Sequence, residues 1–356
     1  MNITFFIGNG FDINIGLKTK YSDFLDYYLD SKKLENFKDK NLSDEKILKK
    51  EHIESFKKYV KDNKDFWWSK GELALGKYTS ELSEGEGKRF LNCQRDFANE
   101  LSKYLQSQEK NIDYKLNKEI IIKSFNNLSN IRELFPYKIK QQLSEVYNKF
   151  IDENYFYNFV SFNYTSTIKN CIELLETKTI NTRSFQFSTR SEYIDNIYNI
   201  HGDFNNMILG VNDESQITNI KVFNCENGKE YIDGLIKENT IQGTYSNIEE
   251  EVGNLIKGSK IIFIYGMSIG ETDKRWWERI IRWLKDDEMN QLIIYKRKKY
   301  EESVLPADNK IFEKESKNSI LKYSEFSKED NENLKNRIII ISENIFKNIE
   351  NIAKFY

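Results

Sequence analysis

Three cysteines, two histidines and two prolines in 356 residues leave several chemistries without their parts. Cys93, Cys171 and Cys225 are widely spaced, odd in number and free of any C-x-x-C arrangement, which argues against a disulfide framework and a structural zinc site. With so few histidines and no clustered cysteine, a catalytic transition-metal centre is not expected. No stretch approaches the roughly twenty apolar residues of a membrane span. The 54 basic and 56 acidic residues nearly cancel, so neither nucleic acid nor membrane is expected as a partner. No basic region precedes the first apolar run, so no signal peptide is expected and a reducing cytoplasm fits best.

What is present suits a packed α/β protein. A composition of 39% hydrophobic and 14% aromatic residues supports a substantial core, as one large domain with an insertion or as two domains. The chain begins with Ile3-Thr4-Phe5-Phe6-Ile7 running into Gly8-Asn9-Gly10-Phe11-Asp12, the pattern of a buried parallel strand ending in a loop that approaches a ligand closely. The dinucleotide fingerprint G-x-G-x-x-G fails because Ile13 stands where the third glycine belongs, which disfavours a standard dehydrogenase.

From Tyr21 to about Tyr147 the pattern is mostly helical. Ile47, Leu48, Phe56, Tyr59 and Val60 recur at helical spacing behind Ser43 as N-cap, and Phe90, Phe97, Leu101, Tyr104 and Leu105 repeat the pattern. These stripes read as helix core, as do the Trp67-Trp68 and Trp276-Trp277 pairs. Beyond Pro136, Lys138–Phe150 and Thr165–Leu175 read as helices, and Tyr157–Phe162, Asn196–Ile200, Met207–Val211, Lys260–Tyr265, Leu292–Tyr295 and Arg337–Ile341 as strands. Trp276 to Trp283 reads as an amphipathic helix, Lys296–Lys299 and Lys310–Lys322 as solvated loop and helix, and Ser342–Ala353 as a closing helix. The expected architecture is a mostly parallel, Rossmann-like sheet with helices on both faces: residues 1–24 and 151–356 as core, 25–150 as a large helical insertion or cap.

Ligands of such sheets bind at the carboxyl ends of the strands. Four segments there carry polar residues: Gly8 to Asp12, Ser161-Phe162-Asn163-Tyr164-Thr165, Asn199-Ile200-His201-Gly202-Asp203, and Gly266-Met267-Ser268 onward to Asp273. His52, among Lys and Glu, reads as a surface residue. His201, at a strand end, is placed where an imidazole acts as general base near neutral pH, with a hydrogen-bonded turn histidine as the competing reading.

Ile-Gly-Asn-Gly-Phe-Asp, then Gly16 to Phe24, then Ser-Phe-Asn-Tyr-Thr and Asn-Ile-His-Gly occur in the order found in the AbiH family of bacterial phage abortive-infection proteins, which the chain resembles over nearly its whole length. Glu72, after Trp67-Trp68 and before Leu75-Gly76, is similar to the family's Trp…Glu…Leu-Gly region. That family in turn looks distantly sirtuin-like. The likeness matches Gly8, Gly10, Asn163, His201, Gly202, Gly266 and Ser268 to positions that hold NAD in sirtuin-like proteins. Thr165 stands where many of those have Asp, Asn9 replaces a small residue, and the deacetylases' zinc cysteines are missing.

The resemblance implies an antiphage effector that hydrolyses NAD to nicotinamide and ADP-ribose, with NAD as substrate and no metal. In that reading the backbone of Gly8, Asn9, Gly10, Phe11, Gly202 and Gly266, with the Ser268 hydroxyl, holds the cofactor. Asn163 orients the nicotinamide ribose and water, and His201 accepts a proton. Asp12 and Asp203 steady developing charge or hydrogen-bond the ribose, Asp273 caps the Trp-rich helix, and Glu72 closes over the site. Expected partners are NAD or a related nucleotide, and a second copy or a defence-system protein. Two other classes stay open: a nucleotide sensor without turnover, and a defence effector acting on nucleic acid through Lys49-Lys50, Lys57-Lys58 and Lys296–Lys299.

Overall fold

β-Branched and aromatic residues that tolerate burial on both faces make a central strand, and Asn2–Ile7 (β1) has them, every residue from Ile3 to Ile7 being buried. The computed structural model describes residues 1–30, 44–185, 188–297 and 306–354. After β1 come α1 (Gly10–Ile15), α2 (Tyr21–Tyr28), α3 (Asp44–Asp62), α4 (Lys64–Tyr78), α5 (Gly87–Glu109), α6 (Lys118–Asn126) and α7 (Tyr137–Lys149). Then follow β2 (Tyr155–Ser161), α8 (Thr167–Glu173), β3 (Thr179–Phe185), β4 (Ser188–Asn199), α9 (Gly228–Leu235), α10 (Lys237–Gly258) and β5 (Ser259–Tyr265). The chain ends with α11 (Lys274–Asp286), β6 (Gln291–Tyr295), α12 (Pro306–Leu321), α13 (Lys328–Lys335) and β7 (Ile338–Ile341).

The chain divides into two compact units. A sheet unit comprises Met1–Leu17, Asn111–Ile200 and Asn247–Tyr356; a helical unit comprises Lys18–Lys110 and His201–Ser246. These borders differ from the sequence division at 25–150, because 111–150 group with the sheet and 201–246 with the helices.

The sheet has seven strands in the order β3-β4-β2-β1-β5-β6-β7, with β3 antiparallel to β4 and every other pairing parallel. Counted along the chain, the six parallel strands lie in the order 3-2-1-4-5-6, so the winding direction reverses between β1 and β5. As the expected parallel pairing requires, the loops after β1, β2, β4 and β5 leave at one edge. Register aligns Phe5 with Phe159 and Phe263, whose rings stack on it at 5.2 and 4.6 Å. Phe125 of α6 and Phe135 cover that face, at 5.9 Å from Phe159 and 6.4 Å from Phe263. Pleating turns Phe6 to the other face, where it meets Phe162, which in turn packs on Trp276 and Trp277 of α11. The structure is therefore an α/β fold with a mostly parallel sheet.

In the helical unit the predicted stripe of α5 is core. Phe90, Phe97, Leu101, Tyr104 and Leu105 of α5 are all buried, and Phe97 packs on Phe24, Trp67 and Tyr28 at 5.0 to 5.3 Å.

Several sequence readings need correction. Ile47 and Leu48 of α3 are exposed, whereas Phe56 and Val60 of the same stripe are buried; Ser43 lies outside the described residues. His52 lies partly exposed on α3, and burial with the nearby Arg89 charge lowers its proton affinity. Met207–Val211 forms no strand; Ile208, Leu209 and Val211 are buried in a loop that makes one bridge, Val211 to Ile236. The short strand at Asn196 is the end of a twelve-residue β4, and β3 was not foreseen because an edge strand built from Thr, Asn, Arg and Ser lacks the apolar run of a buried one. Ser342–Ala353 holds only a 3-10 turn at Lys347–Ile349. There Asn344 Oδ1 takes the Phe346 N–H and Asn351 adopts a left-handed conformation, so side-chain bonding displaces the helix. Lys296 is half-buried, and its desolvated ammonium holds a proton less tightly than usual.

Candidate functional site

The loops after β1 and β5 meet backbone to backbone. The Gly8 N–H donates to Tyr265 O at 2.9 Å, and the Gly10 N–H to Gly266 O at 2.7 Å. Gly266 has φ +68°, and a Cβ there would lie 2.8 Å from Phe11 N; a Cβ on Gly10 would lie 2.4 Å from Gly266 Cα. These glycines are thus required by the approach of two loops at the point where the sheet reverses its winding. The amides of Gly8 and Gly10 are committed to carbonyls of the neighbouring loop, which corrects the expectation that they hold a phosphate.

Phe11 has no exposed surface: its ring lies edge-on to Phe346 at 5.1 Å and to Tyr265 at 6.4 Å. It anchors α1 in the core and has no face to offer a ligand. Asn9 is half-buried at the N-cap position of α1, where its carbonyl accepts the Ile13 N–H, and the Ser268 side chain is exposed.

Asn163 and Asp12 belong to the same unit as these loops. The buried Asn163 Nδ2 donates to Gly8 O at 3.2 Å, so the β2 loop is tied to the first glycine of the β1 loop. Thr165 Oγ1 donates to Asp12 Oδ2 at 2.6 Å, with both residues buried. Asp273 stands at the N-cap position of α11, but its side chain makes no capping bond.

In the helical unit, His201 follows the last residue of the sheet segment that ends β4. It is buried, and Lys237 Nζ lies 3.5 Å from its Nε2. The same ammonium pairs with Glu72 Oε2 at 2.6 Å. Glu72, His201 and Lys237 therefore form one buried cluster, and Lys237 is the member that sequence reasoning missed. Gly202 has φ +74° and no room for a Cβ beside the Asn206 carbonyl, while Asp203 Oδ1 accepts the N–H groups of Asn205 and Asn206. Gly202 and Asp203 thus build the turn behind His201. Among the described residues, no group of three or more His, Cys, Asp or Glu is placed to hold a metal ion. Nor, among them, is any helix long and apolar enough to cross a membrane.

A comparison with curated proteins returned no match. The family model described as bacteriophage abortive infection AbiH matches residues 4–295, a span that takes in the glycine loops, Asn163, His201 and Lys237. On that match, the chain belongs to the AbiH family of bacteriophage abortive infection.

Proposed function

We propose that this abortive-infection protein is a NAD glycohydrolase whose sheet unit binds NAD in the manner of doubly wound, Rossmann-like and sirtuin-like folds. The observation that carries this reading is the reversal of strand order between β1 and β5, flanked by glycine loops in mutual backbone contact. Open α/β sheets bind nucleotides in the crevice at such a point.

Hydrolysis breaks the bond between ribose C1′ and the nicotinamide nitrogen. The electron pair leaves with nicotinamide, water oxygen bonds to C1′, and one proton is released. The transition state is oxocarbenium-like and the leaving group is good, so positioning and charge stabilisation suffice. Asn163, its Nδ2 donating to Gly8 O, offers its Oδ1 as acceptor for a ribose hydroxyl or for water. Asp12 fixes Thr165 and adds negative potential where positive charge develops on the ribose. The exposed Ser268 hydroxyl is the donor for a phosphate oxygen.

Purified protein incubated with NAD, with and without phage lysate, is expected to release nicotinamide and ADP-ribose in equal amounts. Asn163→Ala should slow release by about 10² to 10³-fold, the scale of losing one transition-state partner. No release under either condition would overturn the reading, and tight calorimetric binding without product would replace it with a sensor.

A further inference from the structure

Only two histidines occur in the chain, and one of them, His201, sits against a buried lysine. The Lys237 side chain is nearly inaccessible at 5% exposure and is held by Glu72 at 2.6 Å, itself 11% exposed. An ammonium fixed in this way has little freedom to turn from the ring beside it. Its three N–H groups are donors only, so the ring nitrogen it faces is favoured as the one carrying the lone pair. Which nitrogen of a neutral imidazole holds the proton is set by the partner of the other one.

We infer that Lys237, oriented by Glu72, is a positioning residue that fixes neutral His201 as the tautomer protonated on Nδ1. Nε2 then accepts from Lys237, and the ring presents an N–H at Nδ1. The assignment rests on the helical unit alone. Its consequence for turnover rests on the proposed glycohydrolase reading: a His201 held as a donor does not abstract a proton. A histidine that served only as a packed turn residue would need no such charge pair.

The test is the nitrogen spectrum of the intact protein with 15N-labelled histidine at about pH 8.5, above the usual imidazole range. Two ring systems appear, and His52→Gln removes one to assign them. The nitrogen coupled to both carbon-bound ring protons is Nε2, which for His201 is expected to be the unprotonated type. Replacing Glu72 and Lys237 together by Gln and Met removes both charges without leaving a buried carboxylate unpaired, and is expected to shift His201 toward the Nε2-protonated form. A wild-type His201 already protonated on Nε2, or on both nitrogens, overturns the proposal, and so does a tautomer unchanged in the double variant. Because the spectrum requires no NAD, its failure is distinguishable from failure of the glycohydrolase reading.

Discussion

Gly10 and Gly266 occupy each other's missing side-chain space, so the cost of adding a methyl group can be read from the atoms it would meet. A Cβ on Gly10 meets backbone of Gly266, which moves only if the Gly8–Tyr265 and Gly10–Gly266 hydrogen bonds lengthen. Gly10→Ala is therefore expected to destabilise the protein by about 1–3 kcal/mol, the usual scale of overpacking, read as a lower urea midpoint at unchanged slope. An unchanged midpoint would show that the two loops separate at no cost, and the glycines would then regain their availability for a ligand. Asn163, bonded to Gly8 O across 155 positions of sequence, is the residue that would register such a separation.

At the scale of elements, α11 holds both the carboxyl end and the start of β5. Trp277 Nε1 donates to Gly270 O in the loop after the strand, and Trp283 Nε1 to Ser259 O at its first residue, each at 2.9 Å. Trp277→Phe keeps an aromatic ring against Phe162 but leaves the Gly270 carbonyl without its indole donor. A loss of about 1–3 kcal/mol is expected from denaturant unfolding, with faster amide exchange in residues 266–273; unchanged exchange there would show that the loop is held by other means. This helix was legible in the sequence, since Trp276, Trp277, Ile280, Ile281 and Trp283 repeat with helical period and are all buried. The central strands were legible for a related reason: both faces of β1, β2 and β5 are buried, so their apolar runs are nearly continuous. β3 was not, because an edge strand leaves polar side chains in water. The glycine loops and Asn163 stood out as local patterns at strand ends. Lys237 did not: its partners are 36 and 165 residues away, and a lysine opening a helix otherwise looks like any solvated one.

For the molecule as a whole, ionisable groups bound the pH range of stability from both sides. Burial acts to raise the Glu249 carboxyl, but its bond to Arg275 and the charges of Arg275 and Arg279 outweigh this and lower it. Burial is likewise outweighed at Glu271 by Lys322 and Tyr323, while Lys260 and the Met289 N–H lower Asp287. A carboxyl depressed in the folded state contributes stability that is complete above its unfolded value, about 3.9 for Asp and 4.3 for Glu, and is lost as pH falls through the folded value. Glu271 and Asp287 are partly exposed, so their share is screened by salt; Glu249, at 13% exposure, is the best shielded. On the alkaline side, burial raises Tyr28, Tyr78, Tyr147, Tyr157 and Tyr265 in the folded state. Their contribution is complete below the unfolded value of about 10 and is lost as pH rises beyond it. Urea midpoints are expected to be level between about pH 7.5 and 9 and to fall on both sides, the acid decline beginning as His52, whose proton affinity is lowered by folding, is protonated more readily in the unfolded chain. Glu249→Gln should lower the plateau and make the acid limb shallower, because the variant has one fewer depressed carboxylate to protonate. An acid limb of unchanged steepness in Glu249→Gln would mean that the Arg275 and Arg279 pairing does not set the acid stability of the fold.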